Sequence, residues 1–345
     1  MQNFAYIMDT AFAKKVVLRE RKREELDMKK WYRGGMAALC GLLLSLTTFA
    51  AGPETLIPGG STIGIRMETA GVSIVEITDA APEAAGLEKG DLIIRVDDQP
   101  VQSAEELKEL VSHSNGTALK LLVLHQGKER SCTIAPKQSP RGWCLGLLVK
   151  DSICGIGTVT YYNAEDGSFG ALGHGVGSRN ELLPLREGEI LPSGVKKIIP
   201  GQEGTPGCLQ GEILSEQSRG KILRNTARGI FGIAQDIRGT ALPVAHWKEI
   251  HRGEAVIFST VQGTEIEEFT VEIQEIRPGD EKDRNFVLKV TDPELLALTG
   301  GIVQGMSGSP IIQDGKLIGA VTHVLVDDPT TGYGIFIENM LDAAA

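Results

Sequence analysis

The sequence Gly305-Met306-Ser307-Gly308-Ser309-Pro310, followed by IIQDGKLIGAVTHV at 311–324, is the segment that decides the fold. Glycines on both sides of Ser307 permit a tight turn, although serine between glycines is common in turns of many kinds. The next residues read as a β-hairpin, with its turn at Gln313–Lys316 and its second strand at Leu317–His323. The segment therefore predicts a serine on a tight loop that leads directly into a hairpin.

The composition of the whole chain is that of glycine-rich, globular β-protein. Its 345 residues exceed what one hydrophobic core usually organises. Hydrophobic residues make up 41% and charged residues 23%, which excludes both a disordered tail and a polytopic membrane protein. The net charge is -10, and the body of the chain has no basic stripe, so nucleic acid is excluded as a partner.

The N-terminal region predicts that the chain is directed to a membrane. Residues 1–33 form a basic segment, and residues 34–51 (GGMAALCGLLLSLTTFAA) form an uncharged run long enough to cross hydrocarbon. Positive charge on the N-terminal side is expected to keep residues 1–33 in the cytoplasm, so that the rest of the chain crosses the membrane. A single-pass anchor and a cleaved signal both remain open. Residues 52–60 (GPETLIPGG) are expected to form an exposed linker without regular structure.

Residues 61–136 carry the pattern of a small α+β domain. Short β-type runs at 72–77, 92–96, 119–124 and 129–134 are separated by glycines. Ser103 and Glu106 predict the capping box of one helix, and Leu107 and Val111 share an apolar face of that helix.

This α+β pattern, with AGLEKGDLIIRVDDQPV (85–101) at its centre, resembles the PDZ domains of bacterial exported proteases. A PDZ fold binds a peptide as an added strand at an exposed edge. The resemblance implies that Ile63, Gly64 and Ile65 form this edge and that Leu107 and Val111 line the groove. A role in the core alone is the alternative for the two helix residues.

Residues 141–345 are β-rich, and their G-x-S-G-x-P segment resembles the nucleophile loop of chymotrypsin-like serine peptidases. The resemblance implies a double β-barrel, Ser307 as nucleophile, and an oxyanion hole formed by the N–H groups of Gly305 and Ser307. A serine hydroxyl needs a base to accept its proton. His174, within GALGHGVG (170–177), precedes the serine as in that class, and it is the predicted base.

The acid of the triad has two candidates. Asp236 suits the usual spacing of the chymotrypsin-like pattern, whereas Asp292 stands shortly before Ser307. Residues 291–341 (from TDPELLALTGG to IFIENML) resemble the stage IV sporulation protein B family, PDZ-containing serine peptidases of endospore-forming bacteria. This resemblance selects Asp292. Capping of the helix-like PELLAL segment is the alternative role for Asp292.

The family resemblance extends over nearly the whole chain, from anchor to PDZ-like domain to peptidase domain. It implies a signalling protease that crosses the forespore inner membrane and acts in the intermembrane space. Such a protease cleaves itself and a membrane-bound regulator of an intramembrane metalloprotease, and here self-cleavage is expected between about Ala51 and Met67. No metal and no cofactor is predicted, since H-E-x-x-H and clustered Cys/His ligands are absent from the sequence. A catalytically inactive PDZ adaptor on a protease-like fold is the alternative function.

Overall fold

The computed structural model describes residues 52–178 and 181–345, in which strands predominate and residues 53–345 form one unit. The first elements are β1 (Thr55–Pro58), β2 (Thr62–Ile77), α1 (Ala80–Ala84), β3 (Leu92–Val96), β4 (Gln99–Pro100), α2 (Ala104–His113), β5 (Leu119–His125), β6 (Lys128–Ile134), β7 (Lys137–Ser139) and β8 (Gly142–Cys144). Next come β9 (Leu147–Tyr162), β10 (Ser168–Ala171), β11 (Gly177–Ser178), β12 (Glu181–Leu182), β13 (Leu185–Ile199), β14 (Cys208–Ile213), β15 (Gly220–Thr226), β16 (Gly229–Ala234) and β17 (Leu242–Pro243). After a 3-10 turn at Trp247–Glu249 follow β18 (Gly253–Ser259), β19 (Glu267–Ile276), β20 (Phe286–Val290), α3 (Pro293–Thr299), β21 (Pro310–Gln313), β22 (Lys316–Leu325), β23 (Asp328–Phe336) and α4 (Ile337–Ala344).

Six strands close the first barrel. β2 pairs with β9 and β13, and β10, β16 and β15 complete the circuit. A strand on a closed barrel must turn every second side chain inward. Apolar residues at this spacing build the core, among them Ile63, Ile65, Met67, Val159, Phe169, Ile190 and Ile222.

The second barrel is closed by β18, β19, β20, β23, β22 and β21, in that order of neighbours. Its core contains Phe269, Val271, Phe286, Leu288, Ile311 and Val321. The prediction of a mainly β chain with a PDZ-type domain and two barrels is confirmed. The predicted membrane segment at 34–51 lies outside the described residues, and none of the described helices is long and apolar enough to span a membrane.

The PDZ-type domain is built on the second half of β2. Val72 and Ser73 pair with β3, and β5 and β6 extend the sheet. Helix α2 begins as predicted, because the Ser103 hydroxyl accepts the N–H of Glu106 at 3.1 Å. The Glu106 carboxylate accepts the N–H of Gln102 at 2.7 Å, so the helix end is capped from both directions.

The prediction that residues 52–60 form an exposed linker without regular structure is wrong, because strand β1 occupies residues 55–58. Leu56 and Ile57 are buried, and β1 pairs with β9 on one side and β17 on the other. The apolar pair completes the sheet, although the flanking prolines and glycines favour a loop. Within the predicted PDZ-like domain (61–136), strand β2 is shared: it belongs to the first barrel at Thr62–Glu68 and to the PDZ-type sheet at Val72–Ile77.

Candidate active site

Ser307 lies on the tight loop between α3 and β21, and it lines a cleft to which both barrels contribute. Gly305 and Gly308 adopt φ values of 104° and 98°, a region that glycine reaches without steric cost. A Cβ atom on Gly308 would overlap the carbonyl oxygen of Thr158 on β9. Both glycines are therefore required by their backbone angles, and Gly308 is required also by the close approach of β9.

Thr158 of the first barrel holds the nucleophile loop of the second barrel. Its N–H donates to the carbonyl of Ser307 at 3.0 Å, and its hydroxyl donates to the carbonyl of Gly305 at 2.8 Å. The side chain is fully buried. The sequence analysis missed this residue, because GTVTYY reads as an ordinary buried strand and carries no catalytic signal.

The two carbonyl contacts with Thr158 fix the 305–306 and 307–308 peptide groups, which are the neighbours of the peptide groups that carry the N–H of Gly305 and the N–H of Ser307. Within the described part of the chain, the N–H groups of Gly305 and Ser307 have no hydrogen-bond acceptor. Two free amides beside a serine hydroxyl are what stabilisation of an oxyanion requires. The resemblance to chymotrypsin-like peptidases implies an oxyanion hole at these two N–H groups, and that assignment stays a prediction.

His174 follows β10 and lines the same cleft as Ser307. Its Nδ1 atom is 3.0 Å from the carbonyl oxygen of Gly175, a contact that favours the tautomer with the proton on Nδ1. Burial lowers the pKa of His174, and the bond to Gly175 partly opposes this shift. A neutral imidazole with Nε2 free is the form that a general base needs.

The hydroxyl of Ser307 has a hydrogen-bond acceptor other than His174. It donates to the carbonyl oxygen of Thr322 at 2.7 Å. The hydroxyl must leave this acceptor before its proton can pass to an imidazole. The structure therefore brings the predicted nucleophile and base into one cleft, with the hydroxyl in a resting orientation. Ser309, by contrast, is buried and bonds to Ser259 at 3.0 Å.

A second imidazole lies beside His174. The ring centroids of His174 and His323 are 5.1 Å apart, and the ring planes are tilted by 40°. Desolvation in the cleft, with smaller contributions from His174 and Arg284, lowers the pKa of His323 to about 4. His323 is therefore neutral near pH 7, and its strand β22 flanks the cleft.

The structure does not bring the predicted acid to His174. One carboxylate oxygen of Asp292 accepts the N–H groups of Glu294 and Leu295, both at 3.0 Å, which makes Asp292 the N-cap of α3. Asp236 is exposed and lines a separate cavity. In this arrangement Asp292 is a helix cap, which is the alternative role that the sequence analysis left open. Across residues 52–178 and 181–345, no group of three or more His, Cys, Asp or Glu side chains is placed to hold a metal ion.

The peptide-binding edge predicted at Ile63, Gly64 and Ile65 is wrong. These residues pair with residues 155–157 of β9 on one side and residues 190–192 of β13 on the other. A strand that is paired on both sides has no free edge for a ligand. Leu107 and Val111 are buried in the PDZ-type core, so they support the domain from within.

The strand that lies beside helix α2 is the first half of β9, and not residues 63–65 of β2. Residues 147–150 pair with residues 73–77 of β2, and the described residues include no strand on their other side. The N–H of Ala104, at the start of α2, donates to the carboxylate of Asp151 at 2.8 Å. Beyond the end of α2, a Cβ on Gly116 would lie 2.5 Å from the ring of Trp143. Helix α2 therefore runs alongside this open edge.

An α+β domain of this kind, joined to two closed barrels that share a cleft lined by serine and histidine, defines a PDZ-containing serine peptidase. Comparison with protein families agrees with this class. Residues 141–341, more than half of the chain, match the SpoIVB peptidase S55 family, and residues 61–135 match the PDZ domain family. The chain belongs to the SpoIVB peptidase S55 family.

Individual relatives match smaller parts of the chain. A protein of Mesorhizobium japonicum, provisionally named a zinc metalloprotease, is 31% identical over 84 residues, which are 24% of this chain and 23% of that protein. A similarly named protein of Treponema pallidum is 28% identical over 145 residues, 40% of this chain and 29% of that protein. The chain thus spans about a quarter of the length of these relatives. The active form of the Mycobacterium tuberculosis Rv3671c protease is 13% identical, with a TM-score of 0.33 over 68% of this chain and 82% of that chain.

Proposed function

We propose that this serine peptidase is a signalling endopeptidase of sporulation in which Ser307 is the nucleophile and His174 is the base. The observation that carries the catalytic part is the pair of unbonded N–H groups, on Gly305 and Ser307, in a cleft shared with His174. An inactive relative of a peptidase would have no need to keep both amides free next to the serine.

The reaction begins when the Ser307 hydroxyl leaves the Thr322 carbonyl and turns to Nε2 of His174. His174 takes the proton as Oγ attacks the peptide carbonyl, and the N–H groups of Gly305 and Ser307 bind the oxyanion. His174 then gives its proton to the leaving amine, and water hydrolyses the acyl-enzyme through the same base. The Gly175 carbonyl orients the imidazole where a carboxylate does so in other peptidases.

Asp292 contributes through the nucleophile loop. Its cap fixes the start of α3, and α3 ends at Gly300, a few residues before Gly305. Asp292 is thus proposed as a positioning residue for the loop, and the Gly175 carbonyl replaces it as the partner of Nδ1.

The proposed substrates are the chain itself and a membrane-bound regulator of an intramembrane metalloprotease. Membership of the family and the apolar run at 34–51 support an extracytoplasmic site at the forespore inner membrane, in the intermembrane space. The expected zone of self-cleavage becomes narrower, because residues 55–58 and 62–67 lie in paired strands that a peptidase cleft cannot accept without unfolding. We place the cut before Glu54, whose carbonyl accepts the N–H of Val244 at 2.9 Å.

The free edge of residues 147–151 is the proposed docking place for an extended substrate. An added strand there would lie between β9 and α2, with Leu145 and Leu147 contributing apolar surface from the PDZ-type core. The same strand continues into the cleft, where Ile153 and Ile156 line its wall.

The alternative is an inactive exported adaptor, and two observations favour it: the Ser307 hydroxyl bonds to Thr322, and no carboxylate contacts His174 among the described residues. The test is mass spectrometry and N-terminal sequencing of the full chain beside Ser307→Ala, in cells without another active copy. A peptidase gives a new N-terminus before Glu54 in the wild type alone. The same terminus in both proteins would assign the cut to signal peptidase, and unchanged sporulation with Ser307→Ala would establish the adaptor.

A further inference from the structure

We infer that Asn225 on strand β15 is a positioning residue for the base, and that it acts on His174 through the peptide group that joins Gly175 to Val176. The inference rests on the proposed function, because it concerns how the imidazole is held for proton transfer. Asn225 is not among the described residues that line the cleft, so its effect on the reaction is indirect.

The side-chain amide of Asn225 makes three hydrogen bonds with the segment that follows His174. Its Oδ1 atom accepts the N–H of Val176 at 2.9 Å, and its Nδ2 atom donates to the carbonyls of Val176 at 2.8 Å and Leu183 at 2.9 Å. The partners determine which atom of the amide is the oxygen, because an N–H needs an acceptor and a carbonyl needs a donor. Asn225 therefore ties residues 176 and 183 to β15.

The peptide group between Gly175 and Val176 transmits this contact to the base. Its N–H is bonded by Asn225, and its carbonyl oxygen lies 3.0 Å from Nδ1 of His174. Since a peptide group is planar, holding the N–H also constrains the direction of the carbonyl. Hydrogen bonds in such a chain polarise one another, so the carbonyl becomes a better acceptor for the Nδ1 proton. Nε2 then remains free to accept the proton of Ser307.

Close packing explains why a short amide side chain suits this position. A Cβ atom on Gly175 would lie only 2.4 Å from the carbonyl oxygen of Thr226, the residue after Asn225. The backbone of Asn225 is paired with Ile230 of β16, which fixes the base of its side chain. The segment after His174 therefore approaches β15 backbone to backbone, within reach of the amide.

The pKa of His174 provides a readout that a purely structural role would not change. Burial lowers this pKa and the bond to the Gly175 carbonyl raises it, so a weaker bond should lower the pKa further. The titratable group beside the ring is His323, whose pKa of about 4 keeps it neutral above about pH 5.5. Because the reactive imidazole is neutral, a lower pKa moves the midpoint of Ser307 labelling to lower pH.

The experiment measures how fast a fluorophosphonate labels Ser307 in the full chain between about pH 5.5 and pH 9. Asn225→Ala should lower the maximal rate by about 10- to 100-fold, as a small misplacement of a reacting group does, and move the midpoint to lower pH. Asn225→Asp keeps the acceptor for the N–H of Val176 and loses both donors. Its maximal rate should stay within about fivefold of wild type, with the midpoint at higher pH, because a carboxylate is the stronger acceptor.

The matched control is Asn285→Ala, just before β20 of the second barrel. The Asn285 side chain also makes three hydrogen bonds, and it does not line the cleft; its partners are Arg277, Phe336 and Asn339. This variant should lose stability as Asn225→Ala does, yet keep the labelling rate and midpoint of the wild type. Thermal unfolding of each variant confirms that labelling is measured on folded protein.

The outcomes separate the two possible failures. A wild-type rate and midpoint in Asn225→Ala would overturn this inference and leave the proposed function standing. Equal losses in Asn225→Ala and Asn225→Asp would also overturn it, because the bonds to the two carbonyls would then account for the effect. If Asn225→Ala does not fold, a midpoint in Asn225→Asp that does not move to higher pH would overturn it. Absence of labelling of Ser307 in the wild type would overturn the proposed function, and this inference with it.

Discussion

Strand β9 has two halves that differ in what lies beside them. Residues 147–150 pair with β2 on one side and leave the other side open next to α2. Further along β9, on the side that faces away from β2, Thr158 bonds the carbonyls of the nucleophile loop. One half therefore has an open edge, while the other half is already closed, by the nucleophile loop at Thr158 and by β10 beyond it.

The difference shows how docking and chemistry are connected in this fold. β9 runs without interruption from Leu147 to Tyr162, and it pairs with β2 along both the PDZ-type sheet and the first barrel. The PDZ-type domain is therefore joined to the barrel by two continuous paired strands. A peptide that binds the open edge would contact the same strand that forms the wall of the catalytic cleft.

The largest effect is expected at the proposed base, His174, in the cleft beside the closed half of β9. His174→Gln should reduce kcat by about 10⁴-fold or more, because loss of the base leaves only binding and the oxyanion hole. His323→Gln should change kcat by less than about tenfold, since His323 is assigned no proton transfer. Steady-state kinetics on a long peptide compares the two variants, and a reversed order would exchange the roles of the two imidazoles.

The next largest loss of activity is expected at Thr158. Thr158→Val removes the hydroxyl that bonds the Gly305 carbonyl, so the adjacent amides should lose their alignment and kcat should fall by about 10²- to 10³-fold with KM little changed. Thr158→Ser keeps the hydroxyl and should restore kcat to within about threefold of wild type. If Thr158→Ser were as slow as Thr158→Val, packing of the methyl group would explain the effect instead of the hydrogen bond.

A smaller effect on activity is expected at the open half of β9. Leu110 of α2 is half-buried and packs against the PDZ-type core on the helix that flanks the open edge. Leu110→Ala should raise KM for a long substrate by about three- to tenfold through lost apolar contact, and leave kcat unchanged. A short chromogenic peptide, which does not reach the edge, serves as the control. Equal loss with both substrates would show that docking does not use this edge.

The smallest effect on kcat is expected at Asp292, and its size distinguishes a helix cap from an orienting acid. Asparagine caps a helix as well as aspartate, so Asp292→Asn should alter kcat by less than about twofold. Asp292→Ala should lower the free energy of unfolding by about 1 kcal/mol, as loss of an N-cap does. Thermal unfolding and kinetics measure both quantities, and a loss of several orders of magnitude in kcat for Asp292→Asn would restore Asp292 as the orienting acid.

Much of the fold follows from patterns that the sequence contains. The capping residue Ser103, the glycines around Ser307 and the hairpin after it each have a local physical reason, so each could be predicted. The oxyanion residues follow from the same loop, because positive φ values at Gly305 and Gly308 are what glycine permits.

The positions that depend on long-range pairing could not be predicted in this way. Residues 63–65 resemble a binding edge, yet β13, more than a hundred residues later, pairs with them and closes the barrel. Thr158 carries no local signal, because its two acceptors lie on a loop of the other barrel. The linker prediction failed for the same reason, since the partners of β1 are β9 and β17.

The pH dependence of Ser307 modification tests the central claim most directly. The wild-type protein is treated with a fluorophosphonate across a pH series, and the labelled peptide is identified by mass spectrometry. Burial lowers the pKa of His174 below 6.5, so the neutral base persists at lower pH than usual. We predict a label on Ser307 whose rate falls only below about pH 6.5, and which is lost in His174→Gln. A label on another residue, or a rate on Ser307 that His174→Gln does not change, would contradict the account.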